Sequence, residues 1–241
     1  MIAIDIKNLT KNYKKKTAIS SFSLDIYENE LFALLGTNGA GKTTIIKILS
    51  TLIAKTSGDV KIFGMDLDKD YKKIKNIINV SPQETAIALN LNVLENLKFM
   101  ALCYNINNKE EKINELIEMF KLQDVLYQKS STLSGGYKRK LSIALSLIND
   151  PKILFLDEPT LGLDVVARRQ LWDVINDLKS KMTIILTTHY MEEAEALSDR
   201  IGIMKDGKLI TVGTSSSLIK KSGAKNFEDA FVKIIEKGEV I

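Results

Sequence analysis

At 241 residues, with 45% apolar and 27% charged side chains, the chain has the material for a large buried core and falls outside the disordered and fibrous classes. A formal net charge of +4 is too small to mark a nucleic-acid binder, and Cys103, the one cysteine, excludes an internal disulfide and a thiolate metal site. No apolar run approaches the ~18 to 20 residues that span a bilayer, and Met1-Ile2-Ala3-Ile4-Asp5 does not read as a signal peptide, so a protein made and kept in the cytoplasm is expected.

Two N-terminal strands, Ala3 to Leu9 and Ala18 to Ile26, alternate apolar and polar residues and so predict a half-exposed antiparallel pair. All but four of the 34 basic residues are lysines, a compositional bias, and the run Lys14 to Lys16 between these strands reads as a solvated turn. Tyr13 sits in the same hairpin. Its ring is either simple packing or a platform on which a purine can stack. The apolar run Leu31-Phe32-Ala33-Leu34-Leu35 predicts a buried parallel strand, and it ends in Gly36-Thr37-Asn38-Gly39-Ala40-Gly41-Lys42-Thr43-Thr44. Ile45, Ile46, Ile48 and Leu49 then recur at helical spacing. This is a P-loop in its strand-to-helix setting. Phosphate oxygens concentrate negative charge, and backbone N–H groups at a helix N-terminus match it once glycines let the backbone come close. Lys42 then reaches the β- and γ-phosphates, and the Thr43 hydroxyl reaches Mg²⁺.

A strand near Asp59 to Phe63, a polar helical stretch from Lys69 to Asn76 and a strand from Ile77 to Val80 follow, the last stopping at Ser81-Pro82-Gln83. Gln83 thus stands at a strand end, where sheets of this kind carry their ligands, and a neutral amide there can touch both Mg²⁺ and a water. From Asn92 to Phe120 the pattern is helical, with Asn92 as N-cap and Val93, Leu94, Leu97, Met100 and Ala101 on one face. Cys103, between Leu102 and Tyr104, is expected to fill the core. Leu133-Ser134-Gly135-Gly136-Tyr137 introduces a helix from Lys138 to Leu147, a second anion-binding terminus that lacks a lysine like that of the first.

Ile153 to Leu156 predicts a second buried strand, ending in Asp157-Glu158-Pro159-Thr160. The first carboxylate can hold the shell of a magnesium ion, and the second can polarise a water for attack on a γ-phosphate. After Leu161-Gly162-Leu163-Asp164 come a helix through Leu178, a strand from Met182 to Leu186, and Thr187-Thr188-His189. His189, the only histidine, can donate to a γ-phosphate from that strand end; alone it would read as structural.

In this order the motifs resemble the nucleotide-binding subunit of ATP-binding cassette (ABC) transporters, from about Ile4 to Gly213. The most specific mark is Leu133-Ser134-Gly135-Gly136 standing between a P-loop and the Leu156-Asp157-Glu158-Pro159-Thr160 strand end. The resemblance implies an α/β fold: a P-loop NTPase core of mainly parallel sheet with an antiparallel β subdomain and an inserted helical lobe. It implies one domain over 1–241, with 1–84 and 152–241 as the core and 85–151 as the lobe. It further implies that Tyr13 stacks on adenine with Ala18 beside it, and that Gly36, Thr37, Asn38, Gly39, Ala40, Gly41, Lys42, Thr43 and Thr44 hold the phosphates. Thr43, Gln83 and Asp157 would serve the metal, Gln83 linking it to the helical lobe. Glu158, His189 and Lys42 would carry catalysis. Ser134, Gly135 and Gly136 would bind the γ-phosphate held by a second subunit, and Asp164 would cross the dimer interface.

The activity so implied is ATP hydrolysis with Mg²⁺ in a head-to-tail pair with a second copy or a homologous subunit. It would drive transport through a separate transmembrane permease from the cytoplasmic face of the membrane, with no nucleic-acid partner; the isolated subunit would be soluble. A short helix of the permease would dock near Leu89, Leu91 and Phe99. The segments Ser81 to Glu84 with Val93 to Leu97, Lys138-Arg139-Lys140 after the signature, and Phe227 to Phe231 resemble the drug- and antibiotic-exporter branch. Leu218 to Ile235 supplies one or two helices, so no regulatory domain is expected beyond Gly213. Tyr137 stands where many members have Gln, and Val165 where Pro often follows Leu-Asp; adjusted packing is the expected consequence. A soluble ABC-type ATPase of translation or DNA repair is the alternative. Repair types place a long coiled coil between P-loop and signature, and translation types usually carry two cassettes. A binding module without turnover is opposed by Glu158 and His189.

Overall fold

All the residues from Leu31 to Gly36 are buried, and the strand they form sets the frame of the molecule. The computed structural model describes residues 1–14 and 16–238. Lys15 lies outside them; Lys14 and Lys16 on either side are exposed, as a solvated turn requires. In chain order the strands are β1 (Ile2–Tyr13), β2 (Lys16–Tyr27), β3 (Leu31–Gly36), β4 (Ser57–Ile62), β5 (Met65–Asp66), β6 (Ile78–Ser81), β7 (Ile153–Asp157), β8 (Thr183–Thr188), β9 (Arg200–Lys205) and β10 (Lys208–Gly213). The helices are α1 (Lys42–Leu49), α2 (Tyr71–Lys75), α3 (Val93–Cys103), α4 (Lys109–Phe120), α5 (Gly135–Ser146), α6 (Val165–Lys179), α7 (Met191–Leu197), α8 (Ser215–Ser222) and α9 (Phe227–Lys237).

Two sheets result. The larger has the order β10-β9-β3-β8-β7-β6, in which β9, β3, β8, β7 and β6 run parallel and β10 closes one edge antiparallel. The smaller, β2-β1-β4-β5, is antiparallel throughout. The continuous apolar runs follow from covering the large sheet on both faces. Successive side chains of a strand point to opposite sides. Leu31, Ala33 and Leu35 therefore join a core with Leu154, Leu156, Ile184 and Leu186 beneath the helices. Phe32 and Leu34 join Phe155, Ile185 and α1 in a second core closed by the antiparallel sheet. In β2 the alternation survives because one face of the small sheet stays wet.

Helices α3, α4 and α5 pack on one another. Asn92 begins α3 in a capping box: its side chain accepts from the Glu95 N–H at 2.8 Å, and Glu95 accepts from the Asn92 N–H at 2.8 Å. The helical stretch expected from Asn92 to Phe120 is broken at Tyr104 to Asn108, where Asn105 adopts a φ of 53° and turns the chain back. Cys103 is exposed, not in the core. The buried stripe of α3 runs through Val93, Leu97 and Ala101, and two residues further the helix has rotated by about 200°, away from the core.

Candidate nucleotide site

Parallel strands end on the same side of a sheet, and the register here aligns those ends: Leu35 lies opposite Thr188, Asp157 opposite Thr187, and Ser81 opposite Leu156. The loops that follow β3, β6, β7 and β8 therefore open onto one edge, where ligands bind in such sheets. The P-loop bridges β3 to α1. Gly41 caps the helix at a φ of 103°, and a Cβ there would come within 2.6 Å of Ile19 Cδ1 and 2.8 Å of the Ala18 carbonyl oxygen, so only glycine fits. A Cβ on Gly36 would sit 2.5 Å from the Met204 carbonyl oxygen.

Lys42 is 6% exposed. Its ammonium donates to the carbonyls of Gly36 at 2.7 Å and Thr37 at 3.3 Å, and lies 3.4 Å from Glu158 Oε1. Thr43 Oγ1 donates to Asp157 Oδ1 at 3.2 Å, an oxygen that also accepts from Thr187 Oγ1 at 2.5 Å. No cluster of three or more His, Cys, Asp or Glu side chains suited to a metal occurs among the described residues. The Thr43 hydroxyl and the Asp157 carboxylate meet in their hydrogen bond, and Gln83 lines the same cleft as Thr43; so few hard oxygen donors leave most of a cation's shell to water and phosphate, which fits Mg²⁺.

Glu158 is buried and holds a φ of 49°, left-handed for a residue with a side chain. Its N–H donates to the carbonyl and the hydroxyl of Thr187, both at 3.1 Å. Oε2 is 2.7 Å from His189 Nδ1, so the carboxylate stands between an ammonium and an imidazole. Lys42, Thr43, Glu158 and His189 line a cleft of about 710 Å³ that also takes in Tyr13, Ala18 and Gln83, while Asp157 lies behind Thr43. That volume lies in the range of small-molecule sites. Tyr13 is 44% exposed, with the Lys11 ammonium 4.9 Å from its ring centroid.

Ser134, Gly135, Gly136 and Asp164 do not line this cleft. Ser134 and Asp164 cap two helices that start side by side, and Gly135 and Gly136 open α5. Ser134 Oγ accepts from the Tyr137 N–H at 3.4 Å, Asp164 Oδ1 accepts from the Ala167 N–H at 2.9 Å, and a Cβ on Gly136 would meet Ala167 Cβ at 3.3 Å. Val165 and Val166 beside them are exposed. Tyr137 is half-buried against the core, with the Lys140 ammonium 5.5 Å from its ring centroid.

Two further residues belong to the neighbourhood and escape a reading by residue type. Arg139 is 4% exposed, and burial lowers its guanidinium to about 10 against the partial support of Asp157, Glu193 and Glu158. It donates from Nε to the Pro159 carbonyl at 2.7 Å, from Nη2 to that of Asp157 at 2.8 Å, and from Nη1 to those of Pro82 at 2.5 Å and Gln83 at 3.4 Å. In the sequence Lys138-Arg139-Lys140 serves only as a mark of the exporter branch; the one signal of burial is helical spacing, which sets Arg139 on the face of Ile143 and Ser146, both buried. Glu193 is wholly buried and accepts from Thr160 Oγ1 at 2.8 Å and Trp172 Nε1 at 3.1 Å. Burial raises its carboxyl above the ordinary range, opposed by those donors and by Thr188, with the charge of Glu158 adding to the rise.

A family model described as ABC transporter matches residues 19–161. The chain is similar to the phospholipid-transporting ATPase ABCA3 of Mus musculus, 40% identical over 227 residues that cover 92% of this chain and 13% of that protein. It spans the same 13% of the human and rat ABCA3 proteins. The linearmycin resistance ATP-binding protein LnrL of Bacillus subtilis (strain 168) is 38% identical over 223 residues, covering 91% of this chain and 72% of that protein. Among solved structures, an ATP-binding subunit of an ABC transporter matches with a TM-score of 0.86 and 26% identity, covering 97% of this chain and 99% of that one. A dimeric ATP-binding cassette in a post-hydrolysis state, bound to ADP and Pi, matches with a TM-score of 0.80 and 27% identity, covering 88% of this chain and 98% of that one.

Proposed function

The chain belongs to the ABC transporter family, and we propose that within it this ATP-hydrolysing cassette serves a separate transmembrane permease and drives export. The observation that carries the reading is the meeting of Lys42, Glu158 and His189 at one strand edge, with the anion-binding start of α5 standing apart from it. Such a division of labour calls for two subunits, each completing the other's site.

In that arrangement Tyr13 stacks on the base beside Ala18, and Gly36 to Thr44 wrap the phosphates with backbone N–H groups. Lys42 turns its ammonium to the β- and γ-phosphates. Thr43, Asp157 and Gln83 would hold Mg²⁺, which neutralises phosphate charge when bound. Glu158 orients a water in line with the γ-phosphorus and draws its proton, and His189 donates to the γ-phosphate oxygens, where charge redistributes during transfer. Ser134, Gly135 and Gly136 of the second subunit close over the same phosphate, and Asp164 meets its counterpart across the interface. Residues 1–84 and 152–241 then act as the nucleotide-binding core and 85–151 as the helical lobe, a division supported by the mutual packing of α3, α4 and α5.

Several features support a separate membrane subunit. No helix among the described residues is long and apolar enough to cross a membrane. Leu89, Phe99 and Leu102 are each more than half exposed, at 51%, 54% and 59%, while Leu91 is half-buried beside them. An apolar surface of this kind suits a short helix from the permease, reached at the cytoplasmic face of the membrane. Export is supported by the name of LnrL, a resistance protein. The test is recovery of the membrane partner in detergent, followed by transport in reconstituted vesicles. Leu89→Glu with Leu91→Glu should abolish transport and leave ATP hydrolysis intact. Undiminished transport would place the docking surface elsewhere, and repeated recovery with ribosomes in place of a permease would overturn the transport reading.

A further inference from the structure

A buried guanidinium is ordinarily balanced by a carboxylate. No salt bridge reaches Arg139 among the described residues; backbone carbonyls take its N–H groups. The choice of carbonyls is informative. Those of Asp157 and Pro159 belong to the residues immediately before and after Glu158, so Nη2 and Nε clamp the backbone on either side of it. Glu158 is the residue in that turn that adopts a left-handed φ, 49°, a conformation that persists only where the surroundings hold it. Nη1 reaches to Pro82 and Gln83, at the end of the strand next to β7 in the sheet. One side chain of α5, the helix headed by Ser134 to Gly136, thus ties two loops of the cleft together. A lysine offers donors from a single point and cannot span these directions; the planar fork of arginine can.

We propose that Arg139 is a positioning residue for ATP hydrolysis, clamping the backbone around Glu158 and Gln83 so that the Glu158 carboxylate meets the attacking water in line with the γ-phosphate. The inference rests on the assignment of Glu158 to the water. Its signature is a selective loss of turnover, because Arg139 donates to neither the P-loop nor Tyr13, the groups that carry most of the ATP contact. A reacting group displaced by an ångström costs on the order of 100-fold in rate.

The experiment compares steady-state phosphate release by the full chain, with and without its permease, for wild type, Arg139→Gln, Arg139→Lys and Glu158→Gln, beside melting temperatures with and without Mg-ATP. For Arg139→Gln the expected result is a kcat lowered by roughly 100-fold with KM for ATP within about threefold. Arg139→Lys should lie between it and wild type, and both variants should keep the stabilisation conferred by Mg-ATP. An unchanged kcat in a variant that merely melts earlier would overturn the proposal, as would a loss of ATP binding in parallel with turnover. Failure of both variants to fold would likewise assign Arg139 to the fold alone. Glu158→Gln separates the two assignments. If it turns over at the wild-type rate the role of Glu158 fails whatever Arg139 does; if it is inactive while the Arg139 variants keep their kcat, only the present inference fails.

Discussion

Glu158→Gln removes the unit negative charge of the side chain and leaves its shape. The carboxylate lies 3.4 Å from the Lys42 ammonium and 2.7 Å from His189 Nδ1, with both Lys42 and Glu158 buried. At an effective dielectric constant near 20, unit charges at that separation attract by about 5 kcal/mol, a gross figure that competes with the pull of a γ-phosphate on the same lysine. Neutralising Glu158 therefore frees Lys42 for the nucleotide, and ATP binding should persist. Turnover should not. A positioned base or water-orienting carboxylate contributes about 10²- to 10⁴-fold, equivalent to roughly 3 to 5 kcal/mol of barrier. The variant should accumulate as a dimer with Mg-ATP and remain a monomer with ADP, read by light scattering at high protein concentration beside phosphate release. Adding Ser134→Arg should restore the monomer in ATP. Ser134 is exposed and its loss as N-cap costs about 1 kcal/mol, too little to unfold a domain of this size, so that change reports on the interface. Hydrolysis by Glu158→Gln at the wild-type rate would remove Glu158 from the reaction, and a dimer that survives Ser134→Arg would refute the shared site.

Lys42→Ala should lose most ATP affinity by calorimetry with the fold intact; unchanged affinity would dismiss the P-loop lysine as a phosphate ligand. Tyr13→Ala should weaken binding by about 1 to 3 kcal/mol if the ring stacks on the base, and no loss would return Tyr13 to packing. Glu193 offers a test by pH. Because burial raises its carboxyl in the folded protein above the ordinary 4.5, the unfolded chain releases this proton first as pH climbs, and stability falls from about 4.5 up to the folded value. Glu193→Gln keeps an oxygen for Thr160 and Trp172 without that proton, so it should raise the melting temperature relative to wild type at pH 7 and add nothing comparable at pH 4. An equal gain at both pH values would show that burial does not raise the Glu193 carboxyl.

What the amino-acid sequence determined by itself is everything that depends on neighbours a few positions apart. The strand-to-helix setting of the P-loop, the N-cap at Asn92, the alternation in β2 and the ends of β6 and β7 all follow from glycine conformations, caps and periodicity. Those signals travel at most one helical turn. The ABC resemblance carried the order of the motifs, and with it the two-sheet fold with its helices. Tertiary structure decided which strand ends become neighbours: β8 lies between β3 and β7, and that adjacency brings His189 to Glu158 and Thr187 to Asp157. It also decided the fate of residues whose type misleads. Cys103 falls off the buried stripe of its helix and is wet, whereas Arg139, between two lysines in the sequence, is sealed inside. The acceptors of Arg139 lie 18 to 57 positions away along the chain and are backbone carbonyls, which every residue carries and no side-chain pattern can announce. Only the closing of α5 over the ends of β6 and β7 brings them within its reach.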